Sequence, residues 1–164
     1  MITNWPLPSF AVVIEWDNAR TAELARAHAM LRALRTSLAR IRHRVVVPPQ
    51  VLVLYDRHDV PASVVENSLR LHFKAPEHLC ELRAEPTDGL KYYELKNVGA
   101  ARTSGEVVIF LDSDVIPEPD WLQELLECFT NPDISVVGGQ TYMSLDTFYD
   151  KAFSLFWFYG FRSD

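Results

Sequence analysis

The chain has 164 residues, of which 48% are hydrophobic and 23% charged, the composition of an ordinary globular domain and too apolar for a disordered one. Its formal net charge of −6 excludes the strongly basic footprint expected of a protein that binds nucleic acid through its overall field. The opening MITNWPLPSF has no basic stretch followed by a long apolar one, and no run of eighteen apolar residues occurs, so a cytoplasmic location is expected, with peripheral contact at a membrane as a secondary expectation.

Patterns of strand and helix alternate along the chain. FAVVIEW, Phe10 to Trp16, is a short apolar run rich in β-branched residues and predicts a strand. From Thr21 to about Arg42, Leu24, Leu31, Leu34, Leu38 and Ile41 fall on one helical face, and Arg26, Arg32, Arg35, Arg40 and Arg42 occupy much of the remainder as a solvated face. QVLVLYD, Gln50 to Asp56, follows two prolines and predicts a second strand. Val64, Val65, Leu69 and Phe73 mark a helix over 61–73, and LCELRA, Leu79 to Ala84, alternates as a weaker strand. Leu90 to Thr103 predicts a helix, Gly105 its end, and Glu106 to Leu111 a strand. Pro119 suits a first helical turn, and Leu122, Leu125, Leu126 and Phe129 carry that helix to Asn131 and Pro132. ISVVGGQT, 134–141, predicts a last strand.

This alternation predicts an α/β domain over 1–164, a mostly parallel sheet with helices on both faces. Ligands of such sheets bind beyond the carboxyl ends of the strands, where strand order switches. Three strands end there in acids: Glu15 and Asp17 after the first, Asp56 after the second, Asp112 and Asp114 after the fourth. Glu15, Asp17 and Asp56 also suit ordinary loop and turn positions. Asp112 and Asp114 differ, because they lie one residue apart between an apolar strand and a proline-bounded helix. Unpaired carboxylates there need a cation or water. The set suits a hard divalent ion, Mn2+ or Mg2+, completed by substrate phosphates.

VVIEWDN, VLVLYD, LKNVGAARTSGE and VVIFLDSDVIPEPDWL stand in an order and spacing that resembles family 2 glycosyltransferases of the GT-A fold, from about Phe10 to Gln140. The resemblance implies a nucleotide-diphosphate sugar donor. It places Glu15, Asp17 and Asn18 at the nucleoside loop, Asp56 at the base or ribose, and Lys96 and Asn97 at the basic residue and asparagine before the fourth strand. Asp112 corresponds to the acid near ribose and donor sugar, Asp114 to the metal ligand, and transfer with inversion is implied. The acceptor, a polysaccharide, lipid or protein, stays open. So does the nucleotide, because EWDN and YDRHD depart from the usual loops.

The family's acceptor-activating base lies in a segment for which nothing after Gly139 is a convincing match. Asp146 and Asp150 are the weak candidates, and the domain is expected to be incomplete at its C-terminal side. Phe148 to Phe161 holds eight aromatics in fourteen residues, which predicts a helix on its own sheet, a homodimer contact, contact with an absent part or contact with a membrane surface. Cys80 and Cys128 lack metal-binding spacing and are expected as reduced core residues. His28, His43, His58, His72 and His78 lack zinc spacing and are expected at surface or packing positions. Two other functions fit the same acids: a non-catalytic nucleotide-binding module, and a haloacid-dehalogenase-type phosphohydrolase, whose DxD however belongs on a first strand.

Overall fold

The computed structural model describes residues 6–21, 24–73 and 78–139. Expectations for Asp146, Asp150 and the aromatic segment Phe148 to Phe161 lie outside the described residues. Four strands form one parallel sheet: β1 (Phe10–Glu15), β2 (Gln50–Asp56), β3 (Glu81–Thr87) and β4 (Val107–Asp112), in the order β3-β2-β1-β4. The chain builds outward from β1 to β3, then returns to place β4 on the other side of β1. Strand order therefore switches between β1 and β4, and register pairs Glu15 with Asp112 across that switch.

Five α-helices and a short 3-10 helix at Arg42–Arg44 complete the described chain: α1 (Asp17–Thr21), α2 (Leu24–Ile41), α3 (Ala62–His72), α4 (Tyr92–Arg102) and α5 (Trp121–Cys128). On one face of the sheet Val12, Ile14, Val53, Ile109 and Leu111 bury against Met30, Leu31, Leu34 and Leu38 of α2, Val65 and Leu69 of α3, and Leu122 and Leu126 of α5. On the other, Leu52 and Leu54 bury against Leu95 of α4. β1 and β2 are thus covered on both faces, which is why they are apolar at nearly every position. Among the described residues no helix is long and apolar enough to cross a membrane.

Several expectations are corrected. The stretch 134–139 forms no strand with any of the described residues: Val136 is 86% exposed, and nothing lies within 4 Å of where a Cβ would stand on Gly138 or Gly139. β3 runs on through Pro86, which an edge strand tolerates because it has a ladder on one side only. Leu24 is exposed at the start of α2, while Ala27, Met30 and Ser37 join the buried stripe. Asp17–Thr21 folds as an unanticipated short helix. Cys80 and Cys128 are free thiols at half-buried positions rather than in the core. His28 and His72, by contrast, pack against each other between α2 and α3 with ring nitrogens 3.0 Å apart, in keeping with the packing positions expected of them.

α4 approaches the sheet closely because residue 99 has no side chain. A Cβ on Gly99 would stand 2.2 Å from Cγ1 of Val13, which is fully buried. Gly99→Ala should therefore destabilise the chain. The roughly 1 kcal/mol of helix propensity gained is outweighed by overpacking, which costs about 1–3 kcal/mol. Denaturant titration should show the loss in Gly99→Ala and its relief when Val13→Ala is added; an unchanged midpoint for Gly99→Ala would contradict this packing.

Candidate functional site

The rim at the carboxyl ends of β1 and β4 is organised by a carboxylate turned inward. Glu15 is fully buried. Its Oε2 accepts the backbone N–H groups of Asp17 at 2.8 Å and Asn18 at 3.2 Å, and its Oε1 accepts that of Ser113 at 3.4 Å. Ser113, also fully buried, accepts the N–H of Ala19 on its hydroxyl at 2.9 Å. Two of these bonds, Ser113 N–H to Glu15 and Ala19 N–H to Ser113, tie the end of β1 and the loop after it to the loop after β4. Burial foremost, with the Asp112 carboxylate adding to it, pushes the Glu15 carboxyl up to about 7, against the opposing pull of the backbone donors. Glu15 is thus corrected from an expected ligand contact to the residue that shapes the loop, since its oxygens face backbone amides and not solvent.

That tie presents Asp112, Asp114 and Asn18 together. Asn18 donates from Nδ2 to Oδ1 of Asp114 at 3.3 Å. Asp112 faces α4: Tyr92 donates its hydroxyl to Oδ2 at 2.7 Å, and Lys96 forms an ion pair with Oδ1. Lys96 also donates to the Tyr92 hydroxyl at 2.7 Å, and its Nζ lies 3.9 Å from the ring centroid. Burial opposes the Lys96 charge, yet the bonds to Asp112 and Tyr92 win and raise its pKa. Asn97 is exposed on α4 and makes none of these contacts. Asp17 is half-buried as the first residue of α1.

A second acidic group lies beyond β1, at the end of β2. Asp56 is buried; its Oδ1 accepts the N–H of His58 at 3.0 Å, and its Oδ2 accepts from Lys91 at 3.3 Å. Lys91 also pairs with Asp59. The His58 N–H, followed by the Gly89 N–H and Lys91, holds the Asp56 carboxyl below its ordinary range. Of the expected residues, the fold therefore gathers Asn18, Lys96, Asp112 and Asp114, and sets Asp56 apart with Lys91. Tyr92, Ser113 and Lys91 had no place in the sequence reading. Tyr92 and Lys96, four apart on one helix, carried the one usable signal, because such pairs share a face.

Among the described residues no group of three or more His, Cys, Asp or Glu side chains could hold a metal ion unaided. Asp112 has both oxygens engaged by Tyr92 and Lys96, so Asp114 would supply only part of a coordination shell. Such a set fits Mg2+ or Mn2+ of the kind that takes one or two carboxylates and completes its shell with water and substrate phosphate.

Residues 89–163 match the model for glycosyl transferase family 2. Over 52 residues the chain is 40% identical to the glucosyl-dolichyl phosphate glucuronosyltransferase of Haloferax volcanii, a match that takes in 31% of this chain and 16% of that protein. Two crystal structures of S. aureus TarS 1-349, one of them in complex with UDP-GlcNAc, resemble it with a TM-score of 0.52 and 16% identity. The likeness covers 84% of this chain but 40% and 38% of theirs, and it shows a shared GT-A fold.

The raised Glu15 carboxyl makes stability depend on pH. The folded chain keeps a proton up to about pH 7 that the unfolded chain releases near pH 4.5. Stability should therefore fall as pH rises between those values, by at most about 1.4 kcal/mol per pH unit. Subtracting the profile of Glu15→Gln from that of the parent isolates this slope. A flat difference between pH 4.5 and 7 would show that Glu15 is ionised throughout.

Proposed function

We propose, for a chain whose residues 89–163 match the model for glycosyl transferase family 2, that the rim between β1 and β4 binds a nucleotide-diphosphate sugar and serves transfer of its sugar to an acceptor hydroxyl. The observation that carries this reading is a coincidence of position. The matched segment starts at Gly89, so α4, β4 and the loop bearing Asp112 and Asp114 all lie within it, at the switch in strand order where such sheets bind ligands. A haloacid-dehalogenase-type reading would need these acids on the first strand, whereas here they follow an edge strand, β4.

Asp114 is the residue to hold Mn2+ or Mg2+ together with the donor's diphosphate. Such an ion, when bound, would supply positive charge opposite the departing diphosphate. Asp112, with both oxygens engaged from α4, accepts hydroxyls of the ribose or sugar, and Asn18 steadies Asp114. Asp56 is the nucleoside contact, with Lys91 limiting how its carboxylate is approached. Inversion at the anomeric carbon follows from the family resemblance. UDP is the first nucleotide to try, as it is the one carried by the complex of the structural neighbour. The curated relative is named for a glucosyl-dolichyl phosphate, so among polysaccharide, lipid and protein acceptors a lipid-linked sugar comes first.

Calorimetry with UDP and GDP tests the donor reading. Binding should require Mn2+ and vanish in EDTA, and Asp114→Asn should weaken it more than tenfold. Stability of that variant should stay within about 1 kcal/mol of the parent, as for other surface substitutions. Equal affinity in EDTA would sink the metal-assisted site, and a large drop in melting temperature for Asp114→Asn would make Asp114 structural.

A further inference from the structure

Tyr92 links the helix on one face of the sheet to the acid at the end of its edge strand. As the first residue of α4, it stands one turn before Lys96, whose side chain lies along its ring. Its hydroxyl donates to Asp112 Oδ2 and accepts from Lys96 Nζ, each at 2.7 Å, while Lys96 reaches the other Asp112 oxygen. The three groups close a triangle across two elements. The ring is half-buried and meets Tyr93 edge to face, with centroids 4.6 Å apart. Asp112 is also the register partner of Glu15, a neighbouring acid from which an unheld carboxylate would swing away.

We propose that Tyr92 is a positioning residue of the donor site, its hydroxyl fixing the Asp112 carboxylate and the Lys96 ammonium in one orientation before the ligand arrives. The inference rests on the donor-site reading above and goes beyond it by assigning a role to a residue outside the acidic motif. A carboxylate has about four lone-pair sites. Tyr92 and Lys96 take one on each oxygen, and the remaining two meet hydroxyl donors of the ribose or sugar at a fixed angle. Because the ring allows its hydroxyl few positions, Asp112 needs little further ordering when the ligand binds, which is how preorganisation raises affinity.

The test is a double-mutant cycle on the full chain, read by calorimetry with UDP and Mn2+, with circular dichroism melts alongside. Tyr92→Phe removes only the hydroxyl and should weaken UDP binding about tenfold, with the melting temperature close to the parent's. Asp112→Asn should weaken it as well, and Tyr92→Phe added to Asp112→Asn should change affinity by less than about twofold, because Tyr92 acts through Asp112. A general structural role would instead lower binding equally in both backgrounds. If Tyr92→Phe melts far below the parent, Lys96→Gln breaks the other side of the triangle and takes its place, with the same non-additivity expected. Unchanged affinity in Tyr92→Phe, or additive losses in the double variant, would overturn the positioning role while leaving the donor site intact. No binding of UDP or GDP by the unmodified chain would overturn the donor-site reading, and this role with it.

Discussion

Everything at the carboxyl rim depends on one buried carboxylate. Glu15 ends the central strand, and its two oxygens gather backbone amides from the start of α1 and from the loop after β4. Taking an acid out of water is costly unless donors surround it, and here the donors are the peptide groups whose placement decides where Asn18 and Asp114 stand. The loop geometry is thus set by main-chain hydrogen bonds to a single side chain. Its raised pKa is the electrostatic record of that burial beside a second acid.

α4 supplies the balancing positive charge. Lys91, just before the helix, spans Asp56 and Asp59, and Lys96, within it, meets Asp112. One helix therefore compensates carboxylates on two strands, held at the right height by the close crossing at Gly99. Asp114 takes instead a neutral amide from Asn18, which leaves its charge less offset than that of Asp112. The two acids of the pair, one residue apart in sequence, face different surroundings, so different tasks for them have an electrostatic basis.

The order of strands and helices was legible in the sequence because β-branched runs and helical stripes carry it directly. The five acids ending three strands could be counted to one rim before any coordinates, since parallel strands end on the same side. What periodicity could not tell was which way Glu15 turns, because an acid after an apolar run suits either a loop surface or a buried hydrogen-bond hub. The shift of β3 toward Pro86 was hidden for a similar reason: proline reads as a breaker until the strand is known to lie at an edge. Tyr92 passed as one more helix residue, since its importance comes from the register that sets Asp112 below it. Over 134–139 the expected strand finds no pairing among the described residues, because apolar content alone does not specify a partner strand.

Pro86 has a consequence for how this sheet can grow. Glu81 donates its N–H to Pro49, and Thr87 offers its carbonyl to Arg57, so the odd-numbered residues of β3 turn their backbone groups toward β2 and the even-numbered ones turn outward. Proline therefore removes a donor from the margin that a further strand would have to use. With charged Glu81, Arg83 and Glu85 also along the strand, that side of the sheet is the poorer template for a further strand. Beside β4, next to Asp112, no proline interrupts the margin. In a fold whose solved relatives run to more than twice the length matched here, added structure is steered to the side where the acids already are.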